Sequence, residues 1–320
     1  MLNNNGYVKS ETRAKVENAL IQNNYKHTHR SKSIPREISE IILVITGDIT
    51  SHVYTSIIKG ISCEIEKTGK KVFIVSSDYL PDKEEEYLKF AFRNHFAGVI
   101  MLNVIETASL VSILKSTSHC PVVMVNRYLR SLDTDVVCID NFRGGYMATD
   151  YLIQHGHKKI AHLSGPDNSI ASQERLRGYH DAMRIAGLSV PDGAIFNGDL
   201  QYESGLIFGR QICSMDKEKR FTAVYSANDI MATGLVDAFF EAGFSVPEDF
   251  SITCSDNTLN AVKSRVKLTT VAHDPIEMGV SGAQLLLSRL ANPRSKTEKI
   301  VYAPILTERN SVKYIDNSFS

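Results

Sequence analysis

Residues 135–164 read DVVCIDNFRGGYMATDYLIQHGHKKIAHLS. A short apolar run, Asp135–Asp140, gives way to an amphipathic stretch, Phe142–Gly156, and then to a second apolar run, Lys159–Ser164. Near-continuous apolar runs of this length suit strands buried on both faces, and the stretch between them has helical periodicity. Such a strand–helix–strand unit brings its two strands parallel in one sheet.

The same alternation runs outward from this segment in both directions. Upstream lie the strand candidates Glu40–Thr46, Lys71–Ser77, Ala97–Leu102 and Pro121–Asn126, with helical patterns at Ser51–Gly69 and Asp82–His95. Downstream come Ala194–Gly198, Thr222–Ala227, Phe250–Ser255 and Leu268–His273, with helical patterns at Ala171–Gly187, Asn228–Gly243 and Pro275–Asn292. Ten strands exceed what one twisted sheet holds comfortably. The expected fold is α/β, with two doubly wound parallel-sheet halves dividing near Asp140–Asn141. Local punctuation agrees. Asp274-Pro275-Ile276-Glu277 supplies an N-cap, a proline at the first helical position and a first-turn acid. Gly156 and Gly187 each follow a helical run, where a left-handed residue is wanted.

Composition sets outer bounds. The chain has 320 residues, 43% hydrophobic and 22% charged, the balance of an ordinary globular protein of about two domains. No apolar run approaches the ~20 residues of a membrane span, and the polar N-terminus shows no signal peptide. Cys63, Cys120, Cys138, Cys213 and Cys254 are scattered and odd in number, as expected of thiols in a reducing, cytoplasmic setting. Net charge is zero, yet residues 1–38 carry seven Lys/Arg against three acids, leaving +4 there and −4 on the rest. A basic segment of this kind is either a solvated tail or a face for nucleic acid.

Ligands of open α/β sheets bind beyond the carboxyl ends of the strands. Reading those ends gives Asp48, with Tyr54 in the first helical turn after it, then Asn126-Arg127, Asn228-Asp229 and Asp256-Asn257, with Arg175 near the start of Ala171–Gly187. Singly, Asn228 or Asp256 reads equally well as a helix cap, and Arg175 as a solvated helix residue. Together they suit a small polyhydroxylated ligand, because vicinal hydroxyls pair with carboxylate, amide and guanidinium groups while a ring face stacks on an aromatic. Catalytic patterns are missing. Gly144-Gly145 lacks the GxxxxGK[ST] loop, there is no GxSxG or HExxH, and His155, His157 and His162 lack the spacing of a metal pair. The expectation is a binding protein, not an enzyme, without metal or cofactor.

Six motifs in order, NNNGYVKSETRAKV (3–16), DNFRGGYMATDYLIQHGHKKIAHLSGP (140–166), ERLRGYHDAM (174–183), SANDIMATG (226–234), VPEDFSITCSDN (246–257) and KLTTVAHDPIEMG (267–279), resemble the lactose-repressor/galactose-repressor (LacI/GalR) transcription regulators. The resemblance covers nearly the whole chain. It implies a homodimer whose core is similar to a periplasmic sugar-binding protein. The implied lobes are 39–139 plus 273–302 and 140–272 plus 303–316. Arg175 falls on the family's principal effector arginine and Asp256 on its partner acid. Asn126, Asn228, Tyr54 and His273 fall on other effector positions, and Asp48 and Arg127 border them. Two positions depart from the pattern: Leu200 and Val53 stand where aromatic residues often stack on the effector. With a second arginine, Arg127, near the cleft, the implied effector is a sugar or a sugar phosphate.

The opening segment resembles the end of the second helix, the turn and the third helix (Ser10–Asn23) of a helix-turn-helix headpiece. In SKSI, Ile34 resembles the family's minor-groove wedge, with Lys32 and Arg30 on phosphates. The family's base-reading helix would lie upstream of Met1. Residues 1–38 are therefore expected to be a truncated headpiece and hinge with weak affinity for operator DNA. The function implied is an effector-responsive transcription regulator, a repressor. The alternative is a headless sugar sensor of the same fold without specific DNA binding.

Overall fold

The computed structural model describes residues 40–102, 104–116 and 120–316. The expected helix Ser10–Asn23 and the hinge residues Arg30, Lys32 and Ile34 lie outside the described residues.

The first sheet is built from β1 (Ile41–Thr46), β2 (Lys71–Ser76), β3 (Gly98–Met101), β4 (Val122–Val125) and β5 (Asp135–Ile139), with α1 (His52–Glu66), α2 (Pro81–Arg93) and α3 (Ala108–Ser116) between them. After β5 the chain enters α4 (Asn141–Gln154), β6 (Ile160–Ser164), α5 (Ile170–Ile185), β7 (Ile195–Asn197), α6 (Tyr202–Cys213) and β8 (Ala223–Ser226). There follow α7 (Asp229–Glu241), β9 (Ser251–Ser255), α8 (Leu259–Lys263) and β10 (Thr269–Ala272). The chain closes with α9 (Pro275–Ala291), β11 (Lys299–Tyr302) and β12 (Ile305–Thr307).

Strand order is β11-β5-β4-β3-β1-β2 in the first sheet and β12-β10-β9-β8-β6-β7 in the second. All pairings are parallel except β10 with β12. The chain thus passes between sheets after β5, β10 and β11. The order reverses at β1 in one sheet and at β6 in the other, so loops leaving neighbouring strands diverge there and open a crevice.

Each sheet is covered on both faces. Ile42 and Val44 pack with Ile57 and Ile61 of α1 and Leu286 of α9, while Leu43 and Ile45 face Leu88 of α2 and Leu110 of α3. These side chains are essentially inaccessible to solvent, and full burial of each is worth about 1.5–3 kcal/mol. In the second sheet the two faces carry one cluster with Phe208, Leu235 and Phe239 and another with Leu152, Tyr179 and Met183.

The sequence reading expected ten strands; the described residues hold twelve, the additional ones being β11 and β12. Both are edge strands of three or four residues; the apolar stretch 300–306 that runs through them is interrupted by Pro304 and only partly buried, so pairing to β5 and β10 defines them.

Glycines set the distance between paired helices. A Cβ on Gly145 of α4 would lie 2.2 Å from the carbonyl oxygen of Arg175 on α5, and one on Gly178 would lie 2.2 Å from that of Phe142. Only residues without a side chain allow this backbone-to-backbone approach. Gly60 with Gly279 and Gly205 with Gly234 repeat the arrangement in the α1–α9 and α6–α7 pairs.

Candidate functional site

Loops at the carboxyl ends of the strands of both sheets face one gap. Its first wall holds Asp48 beyond β1, Tyr54 in the first turn of α1, Tyr79 beyond β2, and Asn126 and Arg127 beyond β4. The second holds Arg175 on α5, Asn228 at the N-cap of α7, Asp229 as the first residue of α7, and Asp256 beyond β9. The gap measures about 170 Å³, whereas roughly 10–15 Å³ suffices for one water. It is room for a small molecule.

Arg175 is the most constrained of these side chains. Its Nε donates to Asn141 Oδ1 at 2.9 Å, one Nη donates to the carbonyl of Ala227, and Nη2 donates to Asp256 Oδ1 at 3.1 Å. Burial pulls the guanidinium pKa down, but the Asp256 carboxylate and further anionic neighbours more than offset this, and the net shift is upward. A guanidinium carries five N–H donors; three are engaged, and two remain. Asp256 keeps Oδ2 unbonded among the described residues, as does Asp48, whose Oδ1 takes Thr50 N–H and Oγ1 at 2.7 Å each. Asn228 caps α7 by accepting from Met231 N–H at 2.9 Å and donates Nδ2 to the carbonyl of Leu200 at 2.9 Å. Arg127 makes no hydrogen bond or ion pair among the described residues. The gap therefore offers both free donors and free acceptors.

Several wall residues sit in left-handed backbone: Asn126 (φ 74), Leu200 (φ 69), Asp256 (φ 99) and Tyr79 (φ 59). For residues with a Cβ this costs of order 1–3 kcal/mol each and persists only where surrounding contacts impose it. Tyr54 is buried, and burial raises its phenol pKa; Arg127 opposes the rise and Asp256 adds to it. One phenol on the first wall thus feels charges from both walls.

Seven of the eight residues named from sequence, Asp48, Tyr54, Asn126, Arg127, Arg175, Asn228 and Asp256, line this gap. His273 does not. Its ring stacks on Tyr302 at 4.0 Å between centroids and 19° between planes, with Glu277 3.2 Å from Nε2. Leu200 and Val53 both line the gap, so aliphatic surface occupies those two positions. No motif marks Tyr79, which follows β2 in a loop. Asp229 stands out in the sequence only as the neighbour of Asn228. Asp229 is 1% exposed, and burial, followed by the nearby Asp256 charge, pushes its carboxyl up to about 7.

Among the described residues no group of three or more His, Cys, Asp or Glu could hold a metal ion, and no helix is long and apolar enough to cross a membrane.

Comparison with known proteins agrees with this architecture. The profile of the periplasmic binding protein-like domain matches residues 149–312. The chain is 30% identical over 313 residues to the HTH-type transcriptional repressor PurR of Klebsiella pneumoniae, covering 98% of this chain and 91% of that one. It is 29% identical to the HTH-type transcriptional regulator DegA of Bacillus subtilis, covering 97% and 92%. Among solved structures, the complex of the transcriptional regulator CelR with cellobiose superposes with a TM-score of 0.78 at 25% identity, over 97% of this chain and 93% of that one. A LacI family regulator from Enterococcus faecium with bound ribose superposes with a TM-score of 0.75 at 26% identity, over 86% and 100%. By its sequence motifs, its paired parallel sheets and these relatives, the chain belongs to the LacI/GalR family of transcription regulators.

Proposed function

We propose that this protein is a cytoplasmic transcription repressor whose hold on operator DNA is set by a sugar or sugar phosphate bound between its two lobes, 39–139 plus 273–302 and 140–272 plus 303–316. The observation that carries this reading is the Arg175–Asp256 pair, fixed at 3.1 Å and facing a gap whose opposite wall presents Asp48, Tyr54, Asn126 and Arg127. A hydroxyl both donates and accepts, so a polyol can satisfy the free carboxylate oxygens of Asp48 and Asp256 and the free N–H groups of Arg127 and Arg175 at once. Tyr54 supplies a ring face. The cellobiose and ribose of the two structural neighbours belong to the same chemical class.

Binding that engages both walls favours the closed arrangement by its differential affinity for it. Closure rotates the lobes about the three crossings and changes the spacing of the N-terminal segments in a homodimer. Exposed apolar side chains on edge strand β2 (Phe73, Ile74) and on α6 and α7 (Ile207, Phe240) are surfaces for that dimer. In residues 1–38, Ile34 serves as the wedge, and Lys32 and Arg30 contact phosphate.

The test is a thermal-shift screen of sugars and sugar phosphates, D-ribose and cellobiose included, with Arg175→Ala alongside. An active compound raises the midpoint of the parent and leaves the variant unmoved. A variant that keeps the parent's shift removes Arg175 from the site.

A further inference from the structure

Asp229 is the first residue of α7, yet its side chain points away from solvent. Its Oδ1 accepts from Cys254 Sγ at 2.9 Å and from Thr270 Oγ1 at 3.0 Å, and its Oδ2 accepts from Thr258 N–H at 2.5 Å. These donors belong to β9, to β10 and to the turn that leaves β9. That turn carries Asp256.

The turn is costly by itself. Asp256 (φ 99) and Asn257 (φ 50) are consecutive left-handed residues, neither of them glycine. Two of its holding contacts converge on Asp229. Thr258 N–H, just past the two strained residues, is bonded to the carboxylate directly. Thr270 Oγ1 donates to the same carboxylate and accepts from Asn257 N–H at 3.2 Å. Asp256 N–H is tied to the carbonyl of Val271 at 3.1 Å, and Arg309 Nη2 reaches Asn257 Oδ1 at 2.6 Å from the other side.

We propose that Asp229 is a positioning residue for effector binding: its carboxylate clamps the left-handed turn at Asp256–Asn257, so that the Asp256 side chain meets Arg175. The proposal rests on the reading of Arg175 and Asp256 as effector ligands. Asp229 acts through the turn and through Arg175, without needing to touch the effector.

Charge matters to the clamp, because an ionised carboxylate accepts from all three donors whereas a protonated one must itself donate. The titratable and charged groups facing Asp229 are Cys254 on β9, Asp256 on the turn and Arg175 on α5, with Arg309 packed on the far side of the turn. Burial and the Asp229 charge raise the Cys254 thiol well above its ordinary range, so it remains a donor. Burial and Asp256 place Asp229 itself at about 7. The clamp is thus fully formed above that pH and loosens below it.

Two readouts on the full chain test this. In ligand-free protein, the Arg175 Nε–H resonance in an arginine-labelled sample is expected to move with a midpoint near pH 7, and to lose that movement in Asp229→Asn. Cys254→Ala, which removes one donor and keeps the acid, should shift the midpoint upward; this variant decides the matter if Asp229→Asn does not fold. With D-ribose, cellobiose or another sugar that shifts the parent, affinity should fall up to about tenfold per pH unit below 7 in the parent and be flat in Asp229→Asn. A resonance that does not move in the parent between pH 6 and 8, or moves identically in Asp229→Asn, overturns the proposal. If the resonance titrates as expected but Arg175→Ala retains the sugar-induced shift, the clamp stands and the effector reading falls.

Discussion

Gly144 and Gly145 are neighbours near the start of α4, and adding one methyl group to each should have opposite effects. A Cβ on Gly144 meets only Val271 at 3.7 Å and Pro304 at 3.9 Å, ordinary contact distances. Gly144→Ala therefore gains helix propensity at little steric cost and should stabilise by up to about 1 kcal/mol. A Cβ on Gly145 falls 2.2 Å from the carbonyl oxygen of Arg175, where ordinary contact begins at 3.4 Å. The helices must separate by roughly the 1.2 Å difference, and the obstructing atom is backbone, which no rotamer change can move. Overpacking of this kind costs about 3 kcal/mol at the upper end of its usual range, against about 1 kcal/mol of propensity gained, for a net loss near 2 kcal/mol. A loss of that size lowers the melting temperature by about 4–8 °C. The displaced atom belongs to Arg175, so Gly145→Ala should also weaken the response to an effector sugar, while Gly144→Ala leaves it intact. Calorimetry and the thermal-shift screen read both. Equal stability of the two variants, or a normal sugar response in Gly145→Ala, would show that the α4–α5 approach does not set the position of Arg175.

Asn228→Ala removes both the α7 cap and the bond to the Leu200 carbonyl, each 2.9 Å long. It should lower stability by about 1–2 kcal/mol, seen as a reduced urea midpoint with unchanged slope. His162 is buried between Tyr179 and Tyr225, with ring centroids at 5.3 and 4.6 Å, and burial lowers its pKa to about 3 from an ordinary 6.5. The folded state holds it neutral, so its share of stability is intact above pH 6.5 and is lost as pH falls from there towards 3. At pH 5 the cost is about 2 kcal/mol, and His162→Phe should lose less stability than the parent between pH 7 and 5. His157, lowered to about 4 by burial, keeps part of the acid limb in that variant. Arg130, beyond β4, pairs at 3.1 Å with Glu174 on α5, and its side chain is 53% exposed. Arg130→Ala should change sugar affinity by no more than about fivefold, an effect that high salt erases; a larger or salt-insensitive change would mean that this pair bears on closure more than an exposed ion pair can.

Much of the fold was legible because its strands are buried on both faces. Ile41–Thr46 and Ser251–Ser255 need apolar or small side chains at almost every position, and that leaves a continuous run in the sequence. Helix ends were legible for a local reason too: Asp274 accepts from Ile276 N–H ahead of Pro275, and Gly156 takes φ 86 where α4 stops. β11 and β12 share one apolar stretch, 300–306, in which Pro304 masks the strand pattern. Lys299–Tyr302 alternates exposed and half-buried residues, and its strand character comes from pairing with Val136–Ile139, far away in the chain. The glycine pairs were hidden in the same way. Gly145 looks like a weak point in a helix until Arg175 is known to lie against it.

The site divides along the same line. That Asp48, Asn126, Asn228 and Asp256 end strands can be read locally, and strand ends of parallel sheets converge on one side. What a strand-end side chain then does is decided by partners the local pattern does not show. His273 ends β10 as Asp256 ends β9, but Tyr302 offers it a stacking face, and the ring turns to that crossing instead of the gap. Asp229 is the reverse case. Beside Asn228 it reads as an ordinary first-turn acid, favourable at a helix N-terminus. The donors that draw it inward lie 25, 29 and 41 residues further along the chain. A carboxylate taken out of water needs such partners, since an unpaired buried charge costs several kcal/mol. Two of the three donors that make its burial tolerable, Thr258 N–H and Thr270 Oγ1, also hold the Asp256 turn. On this argument the least visible polar residue of the site is also the one whose charge the visible pair depends on.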